Sequence, residues 1–367
     1  MSAEHQGDLT INVPWSVQEE ILLDVAAPTL DLSVESGEAR GWFYLRESFQ
    51  GRPYLRLRFD TDSPSVGRRL AARIADGVDP ALSEGLFEYR PYNREHDWLG
   101  GPAGLGLAEK FWTETTPLAL EALRATRGDR ALRMAMTFDL LVCSGALLAS
   151  RLPPAVGKHG FKAGYLSYLA TFEGYLLLIR DPDATRARHA ARYEANRDKL
   201  RPRLRSLVEA MDDPDGELAD VPALAGRWVR TLRGYLPAIQ AGFDDGRFFL
   251  YATPKTDELA KLTASPDGLY RRPNVPWLAD LPEPPVAGIH KAIADNQYYQ
   301  GMIREDRRFL ASRLAQAYTN WHLFRLGFQL ADRYSLFYLV ARSFEEEYDL
   351  DAAELIRSVR PEAQVAG

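Results

Sequence analysis

Two neighbouring runs of alternating residues, WFYLRES at 42–48 and YLRLRFD at 54–60, constrain the fold of this chain most strongly. In the second run, aliphatic and aromatic residues alternate with Arg56 and Arg58, so the strand has an apolar face and a basic face. The glycine and proline between the runs are typical of a turn, which predicts a two-stranded hairpin. Because an unpaired buried arginine is costly, the basic face must meet carboxylates or an anionic or polar ligand.

The segments around the hairpin predict the rest of a sheet and the helices that cover it. The predicted elements are strands at 9–15 and 85–92 and helices at 16–30 and 63–78. Ser16 is expected to be the N-cap of the first helix. Residues 1–103 are therefore predicted to form an α+β part with a mixed sheet.

Helices dominate from residue 104 to about 350, where long segments repeat apolar residues at helical spacing. The predicted fold class is α+β: an N-terminal mixed sheet with helices, then a mainly helical part, in one unit spanning 1–367. The charged helix at 183–211 is more typical of a solvated face than of a nucleic-acid surface, since acidic residues are interleaved. A formal net charge of -6 agrees with this. The Pro- and Asp-rich stretch at 252–288 is expected to be a long irregular connection.

The chain has one cysteine, Cys143, which excludes an internal disulfide and a cysteine-based zinc site and is typical of a reducing cytoplasm. The N-terminal residues are polar and lack the apolar core of a signal peptide. The most apolar runs, 138–150 and 165–179, are short for a membrane span, and Glu173 interrupts the second. We expect both to be buried helices of a cytoplasmic protein.

Generic catalytic motifs do not account for the function. The glycine-rich GGPAGLG at 100–106 lacks the Walker lysine and the Rossmann spacing, and neither HExxH nor GxSxG occurs. The six histidines are scattered without the spacing of metal ligands. We therefore expect no metal, nucleotide or redox cofactor.

Three stretches, taken in order, resemble the C-terminal elimination domain of class I lanthipeptide dehydratases and the related stand-alone thiopeptide biosynthesis proteins. They are the arginine hairpin, YRPYNREHDWLGGPAGLGLAEKFWTETTPLALEAL at 89–123 and ASRLAQAYTNWHLFRLGF at 311–328. The resemblance spans about residues 40–345 and implies an elimination-domain-like fold.

The resemblance also implies where the chemistry has changed. An elimination domain of this family uses the strand arginines, an arginine just before Gly-Gly, and a histidine on the late helix. Here DWL at 97–99 stands before Gly-Gly, so the second arginine is missing. If Arg325 anchors the late helix, Asn320 takes the place of the histidine, and His322 lies half a turn away. The chain is most similar to the thiopeptide pyridine synthases, which join two dehydroalanines by a formal [4+2] aza-cycloaddition and release water and the leader peptide as an amide.

Such a reaction needs positioning of two ends of one peptide and modest acid–base groups for the iminol tautomer of an amide. The segment IADNQYYQGMIRED at 293–306 supplies neutral polar side chains densely, and the late helix is expected to face it. The predicted catalytic residues are Asn296, Gln297, Tyr298, Tyr299, Asn320 and His322. The predicted substrate-binding residues are Arg56, Arg58, Trp98, Trp321 and Gln300. The alternatives are that the tyrosine pair only packs in a core and that the arginines form surface ion pairs with residues such as Glu88 and Asp60.

Two other functions stay open: a stand-alone glutamate-eliminating lyase that makes dehydroalanine, and a non-catalytic leader-peptide-binding subunit. The expected partner is a precursor peptide with a leader and a core bearing azoles and dehydroalanines. We expect the leader to bind away from the reacting core, in a partly basic groove at an exposed edge of the N-terminal sheet. Nucleic acid and membrane partners are not expected, and a homodimer is left open.

Overall fold

The structure is a computed structural model that describes residues 6–49, 52–79, 87–91, 99–176, 179, 181–250 and 288–361. The chain forms two compact units. The first comprises Met1–Arg133, Arg247–Phe249 and Ala317–Gln329, and the second comprises Met134–Gly246, Leu250–Gln316 and Leu330–Gly367. The sequence placed the change from α+β to helical structure at residue 103, whereas the first compact unit also includes two helices beyond that point and a late segment of the chain.

The first unit is built on a small sheet and the helices that follow it in the chain. Its elements are β1 (Gln6–Ile11), α1 (Trp15–Glu20), a π-helical segment (Ile21–Ala26), α2 (Ala27–Glu35), β2 (Ala39–Phe49), β3 (Arg52–Thr61), α3 (Pro64–Gly77), β4 (Phe87–Pro91), α4 (Gly101–Glu114) and α5 (Thr116–Ala125). The sequence predicted a helix capped by Ser16, but the helix begins one residue earlier and has Pro14 as its N-cap, with no side-chain cap. Val17 N donates to the Pro14 carbonyl instead.

The second unit is helical in its described residues. Its elements, counting two helices that cross the unit boundary, are α6 (Arg130–Ala149), α7 (Pro154–Gly157), a 3-10 turn (Gly160–Ala163), α8 (Leu166–Leu176), α9 (Pro182–Glu194), α10 (Arg197–Ala210), α11 (Ala223–Asp244), α12 (Gly288–Asp295), α13 (Gln297–Glu305), α14 (Arg307–Arg325), α15 (Leu330–Tyr348) and α16 (Ala352–Ser358). The α+β class with a mainly helical second part is thus confirmed.

The four strands lie in the order β2-β3-β1-β4. Every pairing is antiparallel, because β1 runs opposite to both of its neighbours and the hairpin joins β2 to β3. The prediction of a mixed sheet was therefore wrong: residue patterns identify strands but do not give their directions. The pairing places Asp8 of β1 opposite Arg58 and Thr10 opposite Arg56.

The apolar face of the sheet carries the core of the first unit. Leu9, Leu57 and Phe59 are at most 2% exposed, and α3 packs against the strands that bear them. Gly67 of α3 makes this approach possible, because a Cβ at this position would lie 2.2 Å from the Tyr89 hydroxyl. The prediction that the apolar residues of β3 share a face that packs in the core is confirmed.

The second unit is organised around α15, which packs against α8, α9 and α10. Stacked aromatic pairs join α15 to α8, with ring centroids 5.4 Å apart for Tyr168 and Phe337 and 4.0 Å apart for Tyr175 and Tyr334. Such pairs add to the free energy gained from apolar burial. Among the described residues, α6 is the one helix long and apolar enough to cross a membrane, and 72% of its apolar window is buried in the protein. It is therefore a core helix, as the sequence predicted for this run.

A buried arginine fixes the end of α14 within the first unit. Arg325 is fully buried and donates to Thr115 Oγ1 at 2.8 Å, to Thr116 Oγ1 at 2.6 Å and to the Trp112 carbonyl at 3.1 Å. Its guanidinium also lies 4.9 Å from the centre of the Tyr44 ring. Burial lowers the pKa of Arg325 to about 10. The arginine therefore ties the late helix to the α4–α5 junction and to β2.

We predict that Arg325→Ala lowers the free energy of unfolding by about 3 kcal/mol, because charge-assisted hydrogen bonds are lost and a cavity is left. Urea denaturation followed by circular dichroism measures this. Arg357→Ala, on the exposed surface of α16, is the control and should change stability little. Equal stability of both variants would contradict the structural role of Arg325.

Candidate functional site

The basic strand lies in a buried cluster of charges. Arg56 and Arg58 are 7% and 2% exposed, and Asp8 between them is 1% exposed. Each arginine places its Nε 3.6 Å from a carboxylate oxygen of Asp8, and Arg56 Nη1 lies 3.4 Å from Glu47 Oε2. Two cations thus share two carboxylates within the sheet.

Asp60 and Glu88, the surface partners considered from the sequence, each contact another arginine. Asp60 binds Arg40, with Nη2 and Oδ1 2.6 Å apart, and Glu88 lies 3.7 Å from Arg90. In the strand register Arg58 lies opposite Asp8 of β1, and both residues are buried. Arg56 and Arg58 are therefore interior residues of a balanced charge cluster.

Asp8 is the residue on which this balance depends. Burial raises its pKa, while the guanidinium groups of Arg58 and Arg56 act in the opposite direction. Asp8 and Thr10 alternate with the apolar Leu9 and Ile11 in the first strand, and an acidic residue on the same face as Thr10 is the signal that could have identified Asp8. Sequence reasoning did not select it.

A cavity of about 290 Å³ opens beside this cluster, between the polar face of the sheet and α4. Residues that line it include Phe43, Arg58, Asp60, Glu109, Lys110 and Thr113. Glu109 is only 4% exposed, and the Arg58 guanidinium lies 5.8 Å from the centre of the Phe43 ring. The cavity combines a fixed cation, a buried carboxyl group and an aromatic ring, which are groups that can hold an amide and move a proton.

The late helix places its predicted site residues in the same unit as the arginines. His322 is buried at 1% exposure, and burial holds its pKa well below the usual 6.5, with Arg325 lowering it further. Asn320 is half-buried. Trp321 packs against Trp112, with ring centroids 5.8 Å apart. The histidine is therefore a neutral imidazole at physiological pH.

The segment 293–306 lies in two helices that meet at Asn296. Asn296 is the N-cap of α13, and its Oδ1 accepts from Tyr299 N at 2.9 Å. Its Nδ2 donates to the carbonyls of Ile356 and Val359, at 2.7 and 3.0 Å. Both the Oδ1 and the Nδ2 of Asn296 therefore make hydrogen bonds that stabilise the fold. A catalytic role for Asn296 stays a prediction that would require these bonds to open.

The two tyrosines of this segment differ in their surroundings. Tyr299 is 5% exposed, its pKa is raised by burial, and its ring meets that of Phe309 edge-on at 5.8 Å. Tyr298 is 39% exposed. Gln297 is also exposed, whereas Gln300 donates to the Ala294 carbonyl at 2.5 Å. Tyr298 and Gln297 are therefore the members of the set that a substrate can reach in this state.

The predicted site residues are divided between the two units. Residues 296–300 lie in the second unit, whereas the arginines, Asn320 and His322 lie in the first. A cleft that brings these two groups of residues together stays a prediction. Trp98 lies outside the described residues, as does the stretch 252–287. No group of three His, Cys, Asp or Glu residues that could hold a metal ion occurs within the described ranges.

Comparisons with known proteins agree on one family. Residues 9–344 match the model of the lantibiotic biosynthesis dehydratase C-terminal domain. The crystal structure of TsrL is 70% identical, covers 98% of this chain and 99% of TsrL, and superposes with a TM-score of 0.84. The structure of TbtD, a pyridine synthase from thiomuracin biosynthesis, is 18% identical, covers 94% of this chain and 99% of TbtD, and has a TM-score of 0.60. No curated protein sequence matches significantly.

The buried histidine predicts a pH dependence of stability. Because the pKa of His322 is lower in the folded than in the unfolded protein, the unfolded state binds the extra proton below about pH 6.5. Stability should fall as the pH falls, by up to about 1.4 kcal/mol per pH unit for this group. His322→Gln should reduce that slope in urea denaturation between pH 7.5 and 5. Identical slopes would show that His322 is accessible to protons in the folded state.

Proposed function

Because this chain belongs to the family of lantibiotic biosynthesis dehydratase C-terminal domains, we propose that it is a thiopeptide pyridine synthase that acts on a ribosomally made precursor peptide. The described activity of TbtD, a chain of similar extent with the same fold, supports this reaction class.

The proposed reaction is a formal [4+2] aza-cycloaddition. The amide before one dehydroalanine shifts its proton from nitrogen to oxygen and becomes an iminol. The iminol carbon and the methylene carbon of that dehydroalanine then form two carbon–carbon bonds with a second dehydroalanine. Loss of the hydroxyl as water and of the leader peptide as an amide gives the aromatic pyridine and closes the macrocycle.

The pairing of Arg56 and Arg58 with Asp8 and Glu47 is the observation that carries this proposal. Elimination of glutamate requires cationic help for a departing carboxylate. Here Arg56 and Arg58 are already matched by Asp8 and Glu47 at 3.4–3.6 Å, and the arginine expected before Gly-Gly is absent from the sequence. Arginines that are already paired with carboxylates are better suited to an uncharged amide and its iminol than to a carboxylate leaving group.

The residues that line the cavity beside Arg58 could serve the proton movements of the proposed reaction. Arg58 can hold an amide oxygen, and Glu109 is a carboxyl group buried in the lining. His322 lies on the late helix of the same unit, and its neutral imidazole could accept or donate a proton without creating a buried charge at rest. The remaining acceleration would come from holding the two dehydroalanines together.

The leader site predicted from the sequence remains part of the proposal. The sheet has two edge strands, β2 and β4, and an extended peptide can add to such an edge through main-chain hydrogen bonds.

The direct test is mass spectrometry of a dehydrated, azole-bearing precursor incubated with the protein. The expected products are a macrocycle that has lost water and a separate leader peptide amide. Further dehydration of a glutamylated precursor would instead identify a glutamate-eliminating lyase. Binding of the precursor without any change of mass would identify a leader-binding subunit.

The Asp8 cluster gives a prediction that separates catalysis from folding. Arg58→Ala should lower both the melting temperature and product formation, because it leaves Asp8 less compensated in the interior. Adding Asp8→Asn removes the uncompensated charge, so the double variant should regain stability but not activity. Thermal melts and product yields by mass spectrometry measure the two effects. Recovery of both in the double variant would exclude a role of Arg58 in the reaction.

The exposure of the two tyrosines gives a second prediction. Tyr298→Phe should reduce turnover tenfold or more if its hydroxyl transfers a proton or holds developing charge, roughly the range of a single acid–base group. Tyr299→Phe, at the buried ring, is assayed beside it: near-wild-type turnover would show that this ring only packs, whereas a similar loss would keep Tyr299 in the predicted catalytic set. Both are assayed for cyclised product. Wild-type rates in Tyr298→Phe would remove the segment 296–300 from the catalytic set.

A further inference from the structure

The cavity beside Arg58 narrows where β2 approaches α4. Gly41 of β2 and Thr113 of α4 both line it. A Cβ at position 41 would lie 2.9 Å from the Cγ2 methyl of Thr113, whereas carbon atoms in van der Waals contact are about 3.5–4.0 Å apart. The strand and the helix can approach this closely only because residue 41 has no side chain. No further methyl group fits between them.

The methyl group of Thr113 is held in place by the hydroxyl on the same carbon. Thr113 Oγ1 donates to the Glu109 carbonyl, one turn back on α4, at 2.9 Å. Both groups are attached to Cβ, so fixing the hydroxyl also fixes the methyl. Cγ2 can therefore move away from Gly41 only if this hydrogen bond breaks or α4 shifts. The narrow point is a rigid wall and not the tip of a flexible side chain.

The strand register sets the distance between this wall and Arg58. Phe43 lies opposite Arg58, and Gly41 precedes Phe43 by two residues on β2. Residues two apart on a strand share a face of the sheet and are roughly 7 Å apart. A residue of an extended peptide spans roughly 3.5 Å. A dehydroamino acid whose amide oxygen is bound at Arg58 therefore has its side chain within reach of Gly41 and Thr113.

The size of the cavity restricts that side chain. The volume of about 290 Å³ lies at the lower end of small-molecule sites. The side chain of dehydroalanine is a flat methylene group that carries only hydrogens. Dehydrobutyrine has one methyl group more, on that same carbon. Both residues offer the same amide and the same double bond to the cavity, so only the space beside the terminal carbon can distinguish them.

We propose that Gly41 and Thr113 determine specificity, because the wall that they form leaves room for the methylene of dehydroalanine and excludes the methyl of dehydrobutyrine. This inference rests on the proposed function, which supplies dehydroalanine as the reacting group. It assigns the two residues to the choice of substrate and not to proton transfer. A single methyl group in a close-packed pocket changes kcat/KM by about 10- to 200-fold, so the wild-type protein should prefer dehydroalanine by a factor in this range.

The first test measures binding without turnover. N-acetyl-dehydroalanine methylamide and its dehydrobutyrine homologue are titrated with the full-length protein, and saturation-transfer difference NMR gives both dissociation constants. Thr113→Ser removes the methyl group and keeps the hydroxyl that binds the Glu109 carbonyl, so the preference for the dehydroalanine probe should fall about tenfold. Gly41→Ala should weaken binding of both probes, because its Cβ meets Cγ2. Adding Thr113→Ser to Gly41→Ala removes that clash and should restore binding of the dehydroalanine probe.

The second test measures turnover. Two precursors compete for the protein, one with dehydroalanine at both reacting positions and one with dehydrobutyrine at one of them, and mass spectrometry gives the ratio of cyclised products. Thr113→Ser should lower the preference for dehydroalanine about tenfold. The matched control is Thr171→Ser in α8 of the second unit, where a half-buried threonine donates to the Ser167 carbonyl, one turn back, at 2.7 Å. It should leave the preference unchanged in both tests.

The outcomes separate this proposal from the proposed function. If the wild-type protein forms no pyridine but prefers the dehydroalanine probe, and Thr113→Ser reduces that preference, the proposed function fails and the size limit stands. If the wild-type protein cyclises the precursor and Thr113→Ser keeps the wild-type preference in both tests, only the size limit fails. An equal change in Thr171→Ser would also overturn the size limit, and a wild-type protein that neither binds nor cyclises would overturn both proposals. Thr113→Ser adds no atom to the protein, so it decides the test even where Gly41→Ala does not fold.

Discussion

The contact on which the first unit depends is the one between Asp8 and the two arginines of β3. It lies inside a sheet whose other face is apolar, so the strand is buried on both sides. Without the aspartate, two adjacent guanidinium groups would repel one another in the interior. With it, the arginines are held in fixed positions beside the α4 cavity. The same aspartate also limits how much charge the site can offer to a ligand, which is the main physical distinction from a glutamate-eliminating site.

The late helix shows a similar division between supporting and exposed groups. Arg325 uses three hydrogen bonds to hold the helix end, and His322 is buried beside it as a neutral ring. Asn320 remains half-buried. In the second unit Tyr299 and Asn296 support the fold, whereas Tyr298 is exposed. In both units a supporting residue lies within one helical turn of a candidate functional one.

The fold was largely predictable because its signals are local. The alternation in YLRLRF identified β3 and its faces, and helical spacing identified most of the helices. Strand direction, the buried partner of Arg58 and the break at Asn296 were not predictable, since each depends on residues distant in sequence: Asp8 is 50 positions from Arg58, and Asn296 meets carbonyls 60 and 63 positions away. For the site, residue types could be selected from the sequence. Burial could not, because Tyr298 and Tyr299 are adjacent and identical, yet the first is exposed and the second is buried.

The way Asn296 binds its partner segment has an evolutionary consequence. Its amide contacts only the main-chain carbonyls of Ile356 and Val359, and every amino acid has such a carbonyl. Substitutions at these two positions can therefore accumulate without disturbing the hydrogen bonds, provided that the helix end keeps its path. The asparagine itself has no such freedom, because an aspartate would lose both donors and an alanine would also lose the cap. Among homologues Asn296 should thus vary little beside partners that vary freely, a pattern usually attributed to an active-site residue.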